Sequence, residues 1–356
     1  MAASGRQGER FLIVGPVWVG DAVMMHSLLQ RLKLDDPASH ITVFAPPHVT
    51  PVLRRFAEID ELIPNDFAHG ALRLADRWRL ARSMAGRFDH ALVLPTSFKS
   101  ALIPFLAGVP RRTGYMREAR YGLINDARPL NEKTMPRVVD HYDFLAEPRG
   151  VAFPRAALQP RLNVDQSERT TLLAELGLSE GGRAVALCIG GDGGAAKRWP
   201  AAHFAELARR LVEAGHQAWL VSAPEYREAG DEIVRLSGGA AVNLCGRTTL
   251  GEAIVLLSAA GAAVSNDTGL MHITAALGRP VVALYGPTAP NRIPPLSDRA
   301  AVVQEDLPCR PCYARECPLG HNNCMKQLAP SRVFEALRNL LSAVSSVTGP
   351  REGKLP

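Results

Sequence analysis

No stretch of the chain approaches the roughly 20 consecutive apolar residues of a membrane-spanning helix, so an integral membrane protein is not expected. The opening, Met1 to Arg10, is polar and lacks the apolar centre of an export signal, which makes the cytoplasm the expected compartment. Aromatic residues are few, at 6%, and 41 Lys and Arg against 35 Asp and Glu leave only +6 over 356 residues. A nucleic-acid binder carries denser basic clusters with interleaved aromatics, so no nucleic-acid partner is expected. Cysteines number 6. A disulfide framework is disfavoured in a reducing compartment, which leaves the crowded Cys309, Cys312, Cys317 and Cys324 as thiols or a metal site. Missing, too, is the lysine that would turn Gly15-x4-Gly20 into a phosphate loop, and any convincing Asp-x-Asp pair to hold a divalent ion beside a diphosphate.

What the chain does have is βα alternation, twice. Phe11 to Val14, Ile41 to Phe44 and His90 to Leu94 read as strands. Asp21 to Leu34, Val49 to Phe56 and Leu72 to Met84 read as helices. The pattern dissolves between Ala146 and Arg161 around Pro148, Gly150, Pro154 and Pro160, and a linker is placed there. Asp165 with Glu168 makes a capping-box start for a helix ending at Gly177. A second series follows, with strands at Ala184 to Ile189 and Ala218 to Val221 and helices over Pro200 to Ala214, Glu228 to Leu236 and Ser331 to Leu341. Gly349 to Pro356 reads as a polar tail. The length exceeds what one hydrophobic core serves, so two α/β domains with parallel sheets are expected.

The most informative stretch runs from Ser265 to Thr288. An apolar strand, Ala262 to Val264, breaks at Asn266-Asp267, a helix opens at Thr268-Gly269, Gly278 and Pro280 close it, and Val281 begins another strand. Free amides at the helix start attract phosphate oxygens, Gly269 permits close backbone approach and Thr268 adds a hydroxyl donor, a combination suited to the diphosphate of a nucleotide-sugar. Gly190-Gly191-Asp192-Gly193-Gly194-Ala195-Ala196-Lys197 also follows a strand, where an α/β fold places a ligand loop. Asp21 would repel a phosphate, so the first turn suits an acceptor hydroxyl. By spacing, Asp21 is a helix N-cap.

The motif Asp267-Thr268-Gly269-Leu270-Met271-His272 with Gly286-Pro287-Thr288 resembles the donor-site signature of glycosyltransferase family 9, the ADP-heptose lipopolysaccharide heptosyltransferases. Gly15-Pro16-Val17-Trp18-Val19-Gly20-Asp21 and Cys309-Arg310-Pro311-Cys312 with Cys317-Pro318-Leu319-Gly320-His321 point within it to the heptosyltransferase II branch. The resemblance runs from about Phe11 to Leu341. It implies the glycosyltransferase B fold, α/β with two doubly wound Rossmann-like domains facing a cleft. Residues 1–160 would bind acceptor, 161–330 would bind the ADP-sugar, and 331–356 would form a crossing helix and tail. The implied reaction is inverting transfer of L-glycero-D-manno-heptose from ADP-heptose to the first heptose of the lipopolysaccharide inner core, with no cofactor. Heptosyltransferase I, another nucleotide-sugar transferase of the family, and a nucleotide-sugar epimerase of similar fold are the alternatives. A non-catalytic module organised by the cysteines is a further one.

The same resemblance assigns roles. Asp21 becomes the general base, and Lys197 the holder of the leaving diphosphate, which Thr268 with the Gly269 and Leu270 amides would cradle. Asp267 is assigned to the donor sugar. His272 is read either as a donor contact or as a packing histidine, and Glu225 and Glu228 compete for the ribose. Lys99, Arg111, Arg112, Arg117 and Arg120, against only Glu118, give five minus one, or +4, between Phe98 and Arg120. Such a patch suits an anionic lipid-linked saccharide acceptor, with peripheral contact at the inner membrane. The cysteines, with His321 nearby, leave a structural zinc open at Cys309, Cys312, Cys317 and Cys324, and no other metal is expected.

Overall fold

The structure is a computed structural model that describes residues 8–67, 72–179, 183–191 and 193–347. Asp192 and the tail Gly349 to Pro356 lie outside the described residues. The chain divides into two compact units, Met1–Leu162 with Asn291–Pro294, and Asn163–Pro290 with Pro295–Pro356.

The first unit contains β1 (Arg10–Val14), α1 (Val19–Met24), α2 (His26–Asp35), β2 (His40–Ala45), α3 (Thr50–Leu53), β3 (Glu61–Pro64), α4 (Leu74–Ser83), β4 (His90–Val93), α5 (Leu102–Leu106), β5 (Arg111–Tyr115), β6 (Asp126–Arg128) and α6 (Val138–Phe144). Its six strands are all parallel, in the order β3-β2-β1-β4-β5-β6. β1 and β4 are closed to water on both faces, as parallel strands under two helical layers must be, and Leu12, Val14, Phe44, Ala91 and Val93 share a core with Ala81 and Met84.

The second unit contains α7 (Gln166–Leu176), β7 (Ala184–Cys188), α8 (Ala201–Glu213), β8 (Gln217–Val221), α9 (Arg227–Leu236), β9 (Ala241–Asn243), α10 (Leu250–Ala259), β10 (Ala262–Asn266), α11 (Gly269–Ala276), β11 (Val281–Tyr285), β12 (Ala300–Gln304), α12 (Asn323–Lys326) and α13 (Pro330–Val347). The sheet is again six parallel strands, ordered β12-β11-β10-β7-β8-β9. α7 has the capping box that its sequence spacing predicts and stops at Gly177, whose φ of +69° lies in the left-handed region. α8 turns Phe204, Leu207, Ala208 and Leu211 inward at helical spacing, and α13 packs on α8, β12 and β11.

Each sheet therefore grows outward in both directions from its first strand. The order reverses between β1 and β4 in one unit and between β7 and β10 in the other. Loops leaving the carboxyl ends of those strand pairs diverge to opposite faces, and the crevice they leave is where an open α/β sheet accommodates a ligand.

Candidate functional site

At the second switch point, β10 ends in Asn266, which is fully buried. Its Nδ2 donates to the carbonyls of Ile189 at 3.1 Å and Gly190 at 2.9 Å, tying the end of β10 to the glycine turn after β7. Gly190 packs closely there, because an added Cβ would lie 2.4 Å from Ser222 Oγ and force that side chain to turn away. Tyr226 fixes the next residue: its hydroxyl takes the Gly191 N–H at 3.1 Å and donates to the Gly191 carbonyl at 3.2 Å. Gly194 has φ of +119°, and a Cβ on it would collide with the Arg315 carbonyl at 2.1 Å. From this turn Lys197 reaches back across the loop, and its Nζ donates to Asp267 Oδ2 at 2.8 Å and to the Asp267 carbonyl at 3.3 Å.

Asp267 is held from the turn after β11 as well, since Thr288 Oγ1 donates to the same carboxylate oxygen at 2.7 Å. The sequence assigned Asp267 to the donor sugar. Its carboxylate meets Lys197 and Thr288 with a side chain only 5% exposed, which holds the ammonium in place. Thr268 stands at the N-cap position of α11 in extended conformation, with Oγ1 3.3 Å from Ser265 Oγ. The amides of Gly269 and Leu270 open the helix, and a helix start supplies no acceptor for its first N–H groups. Cationic ammonium, hydroxyl and amides thus converge at one strand end, the arrangement that receives an anion.

His272 is 3% exposed inside α11, and burial pulls its pKa down to about 4, which favours the neutral imidazole. Glu225 lies in the exposed turn directly after β8, at the carboxyl edge of the sheet, and Glu228 in the exposed first turn of α9. The cysteine segment has a role that the sequence did not disclose. The N–H groups of Cys312 and Tyr313 donate to the Pro287 carbonyl at 3.0 and 2.9 Å, and the Ala196 N–H donates to Arg315 O at 3.0 Å. Arg310 braces the same turn through the carbonyls of Gly286 and Thr288. The segment therefore clamps both the Lys197 turn and the Thr288 turn.

All six cysteines are free thiols. Cys309, Cys312, Cys317, Cys324 and His321 border one pocket of about 20 Å³, yet no group of three or more His, Cys, Asp or Glu among the described residues is arranged to hold a metal ion. Cys317 Sγ instead accepts the Asn322 N–H at 3.3 Å and lies 4.0 Å from His321 Nδ1, so the zinc geometry left open by the sequence is not formed.

In the first unit Asp21 occupies the third position of α1, with Trp18 rather than Asp21 at the N-cap. That corrects the capping reading: the carboxylate sits in the first turn, which the helix dipole favours, and Tyr142 of α6 donates its hydroxyl to it. Burial and the nearby Asp21 charge keep the Tyr142 phenol protonated far above its ordinary range, so the bond has one sense only. No local pattern could have announced Tyr142, which is distant in sequence and sits in a helix of polar appearance.

The basic segment does not form the single patch its composition suggests. Arg111 and Arg112 begin β5, at the amino edge of the sheet, where Arg111 pairs with Asp126 at 3.0 Å and Arg112 donates to the carbonyls of Leu123 and Val109. Arg120 is fully buried, donating to the carbonyls of Tyr115 and Pro95 and to Ser100 Oγ; it ties together the loops after β4 and β5. Lys99, after β4, and Arg117, after β5, share the carboxyl edge with Asp21 and, unlike Arg120, are not buried. Arg117 is paired with Glu132 at 2.8 Å.

The family model described as Glycosyltransferase family 9 (heptosyltransferase) matches residues 77–323. The chain is similar to lipopolysaccharide heptosyltransferase 2 of Salmonella typhimurium, 41% identical over 94% of this chain and 99% of that one. Lipooligosaccharide heptosyltransferase 2 of Haemophilus influenzae is also 41% identical, over 93% and 99% respectively. Among solved structures, Escherichia coli ADP-heptose lps heptosyltransferase II superimposes with a TM-score of 0.84 at 38% identity, covering 94% of this chain and 99% of that one.

Proposed function

Because the chain belongs to glycosyltransferase family 9, whose model spans residues 77–323, we propose that it transfers heptose from ADP-heptose to the first heptose of the lipopolysaccharide inner core, with inversion at the anomeric carbon. The observation that carries this reading is the Lys197–Asp267–Thr288 chain beside the open amides of α11, at the strand ends where the second sheet reverses order. An ammonium has three N–H donors, and the two directed at Asp267 fix it in place, leaving one for a phosphate oxygen. As the anomeric bond breaks, its electron pair and the growing negative charge pass to ADP. Lys197, Thr268 and the Gly269 and Leu270 amides are already oriented to receive them, which is preorganised stabilisation of the leaving group.

On the acceptor side, Asp21 takes the proton of the attacking hydroxyl. Tyr142 sets the direction of its carboxylate, and Lys99 and Arg117 meet the acceptor's anionic groups. Glu225, at the carboxyl edge, is the better placed of the two glutamates for the ribose hydroxyls. Lys197 supplies the charge that other transferases draw from a divalent ion, so turnover should persist in EDTA. A lipid-linked acceptor implies peripheral contact with the inner membrane.

The test is turnover with ADP-heptose and a mono-heptosylated core acceptor. Product release that depends on both substrates supports the reading. Release of free heptose without acceptor, or product from a different nucleotide-sugar alone, contradicts it.

A further inference from the structure

Neither half-site uses α4. Its inner side is closed, with Ala81 in the first core and the buried Arg77 lying over the Phe67 ring at 4.1 Å while its Nε donates to the Leu72 carbonyl at 2.7 Å. Its outer side is the reverse of what water favours. Leu74 and Trp78, one turn apart, are each 53% exposed, and Leu72 beside them is 46% exposed.

Arginines frame these side chains. Arg82 lies 5.7 Å from the Trp78 ring centroid, and Arg73 and Arg79 share Asp76, the one acid of the helix. α5 packs beside α4 and adds Phe105, 42% exposed, with the Arg112 guanidinium 5.4 Å from its ring. A helix that exposes Trp and Leu between guanidinium groups matches a bilayer interface on both counts. Rings and aliphatic chains enter the headgroup–acyl boundary, while long cationic side chains reach the phosphates.

We propose that the α4–α5 face docks on an anionic bilayer surface. The charge favours that occupant over a neutral protein surface: Arg73, Arg79 and Arg82 against Asp76 leave three minus one, or +2, on the outer side alone. The proposal rests on the lipid-linked acceptor for its purpose but not for its measurement, because docking is read without turnover.

The experiment mixes the full chain with vesicles of phosphatidylethanolamine and phosphatidylglycerol, and separately with phosphatidylcholine alone, and reads co-sedimentation and tryptophan emission. The wild type should bind the anionic vesicles, shift its emission to the blue and release as salt rises. Arg79→Gln with Arg82→Gln should weaken binding roughly thirtyfold. Leu74→Ser with Trp78→Ser should weaken it at least tenfold and abolish the emission shift, on the order of what exposed Leu and Trp contribute at an interface. Unchanged melting temperatures establish that these exposed substitutions leave the fold intact. Turnover on a soluble, delipidated acceptor should match wild type in both variants. Vesicle binding equal to wild type in both, or a wild type that ignores anionic vesicles, overturns the proposal. So does a dimer in sedimentation velocity that is lost with Trp78→Ser while vesicles go unbound. Failure of the transfer reaction with vesicle binding intact would sink the proposed activity and leave the docking face standing.

Discussion

In the first unit, Asp126, at the start of β6, draws in Arg149 at 2.8 Å, Arg111 at 3.0 Å, Arg128 at 3.2 Å and the Thr113 hydroxyl at 2.8 Å. In the second unit, one lysine meets one aspartate at the carboxyl edge, with unspent helix amides alongside. Burial alone would raise the Asp126 pKa, but the bonds from Arg149, Thr113 and Arg111 hold it well below the ordinary carboxylate range. The knot is closed, because every oxygen of Asp126 is taken. The Lys197 assembly is fixed in position yet keeps donors in hand. A dense basic composition thus marks a structural joint in one unit, while a sparse arrangement in the other has the means to bind an anion.

Substitutions can break the comparison. The largest effect is expected from Asp21→Asn, which should lower kcat by roughly 10²- to 10⁴-fold, the usual worth of a positioned general base. Donor affinity should be largely kept, and unaltered turnover would remove Asp21 from the mechanism. Lys197→Ala should cost about 10²- to 10³-fold in kcat by single-turnover kinetics, because a preorganised charge on the leaving group is gone. Asp126→Ala should destabilise the fold by about 3–5 kcal/mol in urea titration, since it strands the buried Arg128, while donor affinity at low temperature stays close to wild type.

The smallest effect concerns pH. Asp143, bonded by Ser27 Oγ at 2.7 Å, is pushed by burial from 3.8 up to about 7. The folded state then keeps a proton that the unfolded state has lost, so stability falls as pH rises from about 4 to about 7 and is level above that. Asp143→Asn removes the ionisation, and its melting temperature should exceed wild type at pH 8 and match it near pH 4. An equal difference at both pH values would show that Asp143 does not titrate.

The sequence revealed the parts of the fold that speak locally. β1, β7, β10 and β11 are apolar runs between turns because parallel strands are covered on both faces, and α7 carries its own start and stop signals. β5 was hidden because its first residues are Arg111 and Arg112, whose guanidinium groups are satisfied by Asp126 and by loop carbonyls rather than by water. α6 was missed for the same reason: Asp140, His141 and Asp143 give it a polar pattern, and all three are buried with bonded partners. Motif position singled out Lys197, Thr268 and Asp21 as candidate site residues, and the meeting of Lys197 with the turn at Thr268 was legible from it. The chain from Lys197 through Asp267 to Thr288 was not, because Thr288 lies in the turn after β11, and the bracing by Asn266, Tyr226 and Arg310 exists only once distant loops have met.

The most direct test of the central claim is the affinity for ADP measured by titration calorimetry in wild type, Lys197→Ala and Asp21→Asn. Lys197→Ala should weaken ADP on the order of tenfold to a hundredfold, the worth of one charge-assisted phosphate contact, while Asp21→Asn binds as wild type or slightly tighter. ADP binding that survives loss of Lys197 and collapses with loss of the Asp21 charge would put the diphosphate in the wrong half of the molecule and contradict the account.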